Sequence, residues 1–170
     1  MRFVTGALCA LCVLAFVGWG ASRIYQNIVF DRNVSGYLKQ AADANTVPLA
    51  RDRLEIAIKE ADRQGLTTGF TSLWYTTPDE DIGFWHTNLS AALSQLKALP
   101  DNVSQLEESN VLKKLRETLL DHGKDGEHVT VPPGISIYPY NTFYQWWWIL
   151  SLLLAMVFLI VTAFLADRSR

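Results

Sequence analysis

Two uncharged apolar segments, Phe3 to Gly20 and Trp146 to Ala166, stand at the two ends of the chain and bracket a polar middle. A hydrocarbon core about 30 Å thick takes on the order of 20 apolar residues of helix to cross, and both segments come close to that. The expected fold is mostly α: transmembrane helices over residues 3–21 and 146–166, an extracytoplasmic helical hairpin or bundle of about four helices over 22–128, an extended aromatic connector over 129–145, and a cytoplasmic tail at 167–170. The 170 residues leave room for two spans and one modest domain.

Charge narrows the classes of partner. Between Ala21 and Gln145, 12 Lys and Arg stand against 16 Asp and Glu, so the middle is acidic. Such a domain has no basic footprint for nucleic acid or for anionic headgroups, and nucleic-acid binding is set aside. Cys9 and Cys12 both lie in the first apolar segment. The middle therefore has no cysteine for a disulfide, a thiolate zinc site or a thiol nucleophile. Both are read as small apolar residues, and the Leu before each is not the small residue of a lipoprotein signal.

The first segment has a signal-peptide outline, with Arg2, an apolar run and Gly18-Trp19-Gly20 as a small-x-small site. The run is longer than the usual signal core of about 7 to 15 residues and a bulky Trp sits in the site, which favours an uncleaved anchor. Cations set the orientation. Arg2 lies at one end, Arg168 and Arg170 at the other, while Val129 to Gln145 is uncharged. The positive-inside rule then places both termini in the cytoplasm and residues 22–145 in the periplasm, with the spans in a bacterial inner membrane.

Aromatic residues gather at the expected outer edge. Trp19 closes the first span, and Tyr138, Tyr140, Phe143, Tyr144, Trp146, Trp147 and Trp148 lead into the second. Successive helix residues point about 100° apart, so three adjacent Trp side chains cannot all face one neighbour. Some must meet lipid or another subunit. An interfacial girdle is the main expectation and a docking face for a partner or pigment the alternative; Trp74 and Tyr75 are added as candidate contact residues.

Along the middle, Ile24, Ile28, Val29, Val34, Tyr37, Leu38, Ala41 and Ala42 extend the first helix at three-and-four spacing, with Gly36 weakening it. A second helix opens at Asn45 or Thr46 with Pro48 in its first turn, carries Leu49, Leu54, Ala57, Ile58 and Ala61, and stops at Gly65. Leu66 to Thr76 reads as an ordered uncharged loop whose aromatics need cover. Thr77-Pro78-Asp79-Glu80 has the form of a capping box, starting a helix with a seam at Ile82, Trp85, Leu89, Ala92, Leu96 and Leu99. Leu99 to Asn102 breaks it; the next helix carries Val103, Leu106, Val111, Leu112, Leu115, Leu119 and Leu120 and ends at Gly123. Lys124 to Glu127 is expected to turn, and Val129 with Val131 to form a short strand stopped by Pro132-Pro133.

Chemistry is thin. His86 has no carboxylate or second histidine at ligand spacing on its own helix face and is read as a half-buried polar residue. His122, His128 and their acidic neighbours resemble the start of a calcium loop, but its twelfth position is Pro132, where a bidentate Glu is needed. Asp79-Glu80-Asp81 is explained by capping at a helix start. There is no phosphate-binding, dinucleotide-binding, nucleophile-elbow or His-Glu-x-x-His pattern. No catalytic residue, metal ligand or cofactor site is assigned. Sequons at Asn33, Asn88 and Asn102 and the Gly6/Ala10 pair in the first segment are weak signals.

Three stretches, Gly36 to Thr46, Thr77 to Trp85 and Val129 to Ser136, together resemble a family of functionally uncharacterised small bacterial membrane proteins with two spans and a helical exported domain. The resemblance implies a bacterial source and brings no activity, cofactor or catalytic residue.

The function expected is that of a non-catalytic accessory subunit, bound to a larger integral membrane complex through its spans, its aromatic collar and its helical domain. A photosynthetic, respiratory, secretion or proteolytic assembly would all serve as the partner, alongside the lipid bilayer. The alternative is a periplasmic sensory or ligand-binding module that signals through a partner, because only four residues follow Ala166. A membrane-bound hydrolase using Asp79 to Asp81 with His86 is the weakest reading.

Overall fold

The computed structural model describes residues 2–74, 76–100, 103–123 and 126–167. The chain is mostly helical and divides into two compact units: Ile28–Pro139 forms one, and the residues up to Asn27 and from Tyr140 onward form the other. Expectations at Tyr75, Asp101, Asn102, Lys124, Asp125, Arg168 and Arg170 fall outside the described residues.

The terminal unit is built on α1 (Arg2–Phe30) and α6 (Asn141–Asp167), both in helices long and apolar enough to cross a membrane. Nearly every large aliphatic side chain described on them is exposed, Leu11, Leu14, Val157 and Ile160 among them. Apolar all round and outside any core is the pattern of helices solvated by lipid tails. The second helix begins at Asn141, so Tyr144 and Gln145 are helical where an extended connector was expected to reach residue 145. Asn141 starts the helix upstream of the apolar run because the aromatic residues between them keep the three-and-four pattern of a helix face.

In the other unit the backbone of α1 passes without a break through a π turn, Asp31–Ser35, into α2 (Gly36–Ala42). Phe30, Val34 and Leu38 are all buried at steps of four. A regular helix turns about 100° per residue, so eight residues would leave Phe30 and Leu38 about 80° apart. The wider turn takes up that difference and keeps one face on the core. The Gly36 N–H donates to the Asp31 carbonyl, and a Cβ on residue 36 would stand 2.9 Å from that oxygen. Gly36 is thus a requirement of the wide turn rather than a mere weak point in a helix.

Helix α3 (Val47–Arg63) starts after extended Thr46, with Pro48 in its first turn, and its Val47 N–H is taken by the Glu108 carboxylate at 3.1 Å. Its buried stripe is Val47, Ala50, Leu54, Ala57, Ile58 and Ala61, so Leu49, expected inside, lies outside. On its wet face Glu55 meets Lys59 at 3.2 Å and Lys97 at 3.3 Å. The Lys59 bond, then that of Lys97, holds the Glu55 carboxyl below the usual glutamate range.

The loop after α3 is pinned by Thr71 N–H to the Glu80 carbonyl at 3.1 Å and Ile82 N–H to the Gly69 carbonyl at 2.9 Å. The predicted capping signature closes only a short 3-10 turn, Pro78–Glu80, where both the Thr77 N–H and its hydroxyl donate to the Glu80 carboxylate. Asp81 then returns to extended geometry and caps α4 (Ile82–Ala98), accepting from the Phe84 N–H at 3.0 Å. Helix start signals therefore act twice here, and the second one carries the long helix.

Helix α5 (Gln105–Leu119) follows Ser104, whose hydroxyl accepts from the Glu107 N–H. Leu115 and Leu119 are buried, whereas Leu106 is 73% exposed, against expectation. The helix was also expected to run to Gly123. It stops at Leu119, and β1 (Leu120–Gly123) pairs antiparallel with β2 (Gly126–Val129), Leu120 facing Val129 and Gly123 facing Gly126. The reason is non-local: Arg116 binds both Asp43 and Glu127, and the Leu119 carbonyl accepts from the Thr130 N–H, so the returning strand outcompetes another helical turn. The strand foreseen around Val129 and Val131 thus lies earlier. Ile135–Ile137 forms a 3-10 turn within the stretch expected to be extended.

The core of this unit runs from Phe30, Val34 and Leu38 through Leu54, Ile82, Trp85 and Leu96 to Leu119, Leu120 and Ile135. Replacing any one of the fully buried leucines by alanine would cost about 2 to 5 kcal/mol.

Candidate functional site: an aromatic clamp between the apolar helices

In the terminal unit α6 runs back along α1. Trp19 sits beside Tyr144 and Trp148, and farther along the pair Leu8 and Phe158 line one groove. The contact at the aromatic end has polar and ring components. The Trp19 indole N–H donates to the Tyr144 carbonyl at 2.9 Å, and the Tyr144 hydroxyl and the Ser22 hydroxyl lie 2.6 Å apart. Where water is scarce an unmet donor costs several kcal/mol, so these bonds also make it possible to place indole and phenol there.

Ring packing completes the clamp. Phe16 stacks on Trp19 with centroids 5.7 Å apart, and the Arg23 guanidinium lies over the Trp19 ring at 5.6 Å. Trp148 meets Trp19 at 6.4 Å, while Trp147 packs on Tyr144 and lies close to Gly18. Of the three adjacent tryptophans, Trp146 turns outward and is 48% exposed. Ser22, Phe16 and Arg23 were missed from sequence. Their signal was available, since Phe16, Trp19, Ser22 and Arg23 lie three and four apart on one helix face.

The expected collar is therefore not one cluster. Trp19, Tyr144, Trp147 and Trp148 come together; Phe143 edges onto Tyr144 and Trp147 but stays exposed, as does Tyr140. Tyr138 belongs to the Ile28–Pro139 unit, where its hydroxyl donates to the Thr68 carbonyl at 2.9 Å and its ring covers Gly69. Trp74, in the pinned loop, is 68% exposed, and Phe70 and Leu73 beside it are also uncovered, so the loop aromatics expected to find cover lack it within this unit. Tyr75 is outside the described residues.

Beside the clamp lies an apolar groove of about 690 Å³, with Cys12 and Ala15 on α1 opposite Trp146, Leu150 and Leu154 on α6. Cys12, Ala15 and Ser151 stand as small residues among larger ones such as Leu8, Leu11 and Leu150, and small residues leave room for a further helix to approach.

Two of the three histidines are engaged in ion-pair geometry. His86 Nε2 lies 2.7 Å from Asp62 of α3, and His122 Nε2 lies 3.0 Å from Glu127 across the hairpin. Asp62 lies on a different helix from His86, which is why spacing along the chain did not reveal it, while Glu127 is the cross-strand neighbour of His122. Among the described residues no group of three or more His, Cys, Asp or Glu is placed to hold a metal ion.

No protein-family model, no characterised protein and no solved structure matches this chain.

Proposed function

We propose that this protein is an accessory subunit of a larger integral membrane complex, held by its two apolar helices. On this reading it lies in a bacterial inner membrane with both termini in the cytoplasm and residues 22–145 in the periplasm. The observation that carries it is the groove beside the clamp. It is apolar and open, with exposed Leu11, Trp146 and Leu150 on its walls and small Cys12 and Ala15 between them, a surface a third transmembrane helix can pack into. The clamp supports the same reading, because Trp19 and Tyr144 hold the two helices in one arrangement before any partner arrives, which lowers the ordering cost of assembly.

A photocrosslinking residue at position 146 or 150 in native membranes tests this. One reproducible protein adduct is expected, lost when Ala15→Trp fills the groove. Adducts to lipid alone, or an unchanged adduct in the Ala15→Trp protein, would overturn the reading.

A further inference from the structure

The Ile28–Pro139 unit has a cleft of about 380 Å³ where the start of α4 faces the hairpin and the strap that follows it. Small-molecule sites fall in the range of about 300 to 1,000 Å³ and are mostly apolar with a few placed polar groups. Buried Trp85 and Leu89 line this one, with Val131 and Pro132 from the strap. Trp85 donates its indole N–H to the Thr130 carbonyl at 3.0 Å, which satisfies its polar atom and leaves its ring as apolar lining. Phe84 lines the same cleft and is 63% exposed, an unusual cost for a large ring beside a concave surface.

Charge decides what would fit. Three carboxylates from separate elements line the cleft: Asp79 in the 3-10 turn, Asp81 at the cap of α4 and Asp121 in β1. Among the described residues no Lys or Arg lines it, and the basic side chain there is His128, the cross-strand neighbour of Asp121. Asp81 gives one oxygen to the Phe84 N–H and Asp121 one to the His122 N–H, and a carboxylate accepts about four bonds in all. Aromatic faces add to the pull on a cation.

We propose that this cleft binds a small organic cation, an ammonium group on an apolar body, with the body against Phe84, Leu89 and Pro132 and the charge toward Asp79 and Asp121. A concave site of this size suits a small molecule better than the broad face of a protein partner. The proposal goes beyond the accessory-subunit reading and does not depend on it.

The test uses the full-length protein in nanodiscs, with empty nanodiscs as blank, and calorimetric titration of three probes of one shape. These are phenethylammonium, neutral 2-phenylethanol and anionic 3-phenylpropionate. The ammonium is expected to bind about tenfold tighter than the alcohol, and the carboxylate weakest. Asp79→Asn and Asp121→Asn should each weaken the ammonium about fivefold, as loss of one partly exposed charge pair implies. Both aspartates are exposed, so far-UV circular dichroism and melting should stay unchanged. No binding of the ammonium, equal binding of all three probes, or undiminished affinity in the Asp79→Asn/Asp121→Asn double variant would overturn the proposal.

Discussion

Trp19 and Tyr144 grip each other through a bond that no side-chain substitution at Tyr144 can remove, because the acceptor is the Tyr144 main-chain carbonyl, 2.9 Å from the indole nitrogen. The second bond, Tyr144 to Ser22, is made entirely by side chains. The two halves of the clamp are therefore separable by mutation.

In bilayers, Trp19→Phe keeps a ring against Trp148 and deletes one donor, with an expected loss of about 1 kcal/mol in the association of the two helices. Ser22→Ala and Tyr144→Phe should each cost about 0.6 kcal/mol, and the double variant little more than either alone, since both remove the same bond. Steric-trap unfolding of the helix pair measures all four proteins. Fully additive losses would show that the two hydroxyls do not bond.

Gly69 has a φ of +103°, a region that side chains rarely adopt, and a Cβ there would collide with the Tyr138 hydroxyl. Gly69→Ala should then break the Tyr138 bond to Thr68 and loosen the loop ahead of α4. A destabilisation of about 2 kcal/mol is expected by chemical denaturation, with faster amide exchange at Thr71 and Ile82, whose N–H groups bond across this loop. Tyr138→Phe at the same site should cost about half as much, because the ring stays in place.

Glu55 offers a pH test. Its folded pKa is depressed by Lys59 and then Lys97, so its contribution is present above the ordinary glutamate value of about 4.3 and is lost as pH falls through the depressed one. Lys97→Gln should raise the Glu55 midpoint toward the ordinary value, read by carboxyl chemical shifts. Melting temperatures of the two proteins should converge in acid, where Glu55 is protonated in both. An unmoved midpoint would show that Lys97 does not hold the carboxylate in solution.

Local signals along the chain were legible where one residue decides a local outcome. Pro48 marked the first turn of α3, Gly65 its end, and Thr77 to Glu80 a capping box, which closes a 3-10 turn just ahead of α4, because caps and fixed φ angles act within a few residues. The core seam of α4 at Ile82, Trp85, Leu89 and Leu96 was legible from its spacing. Outcomes set by distant competition were not. Leu106 and Leu49 carry the right chemistry for a core but lie off its face, and the Leu120–Val129 hairpin depends on Arg116 reaching Asp43 and Glu127. The clamp was half legible: composition pointed to Trp19 and Tyr144, while Ser22 looked like an ordinary polar residue until its partner arrived from the other end of the chain.

The π turn at Asp31–Ser35 amounts to one extra residue set into the first helix. Most of its side chains are at least partly exposed, so exchanging one for another changes little beyond the surface. Removing a single codon inside the turn is another matter: the helix would close into a regular spiral, Gly36 would lose its reason to be glycine, and the seven steps left between Phe30 and Leu38, about 700° in all, would set the two about 20° apart and still on the core face. Here an in-frame deletion of one residue would be absorbed where Gly36→Ala in the full chain would not, and a gap at this turn would mark a change of helix type rather than a break in the core.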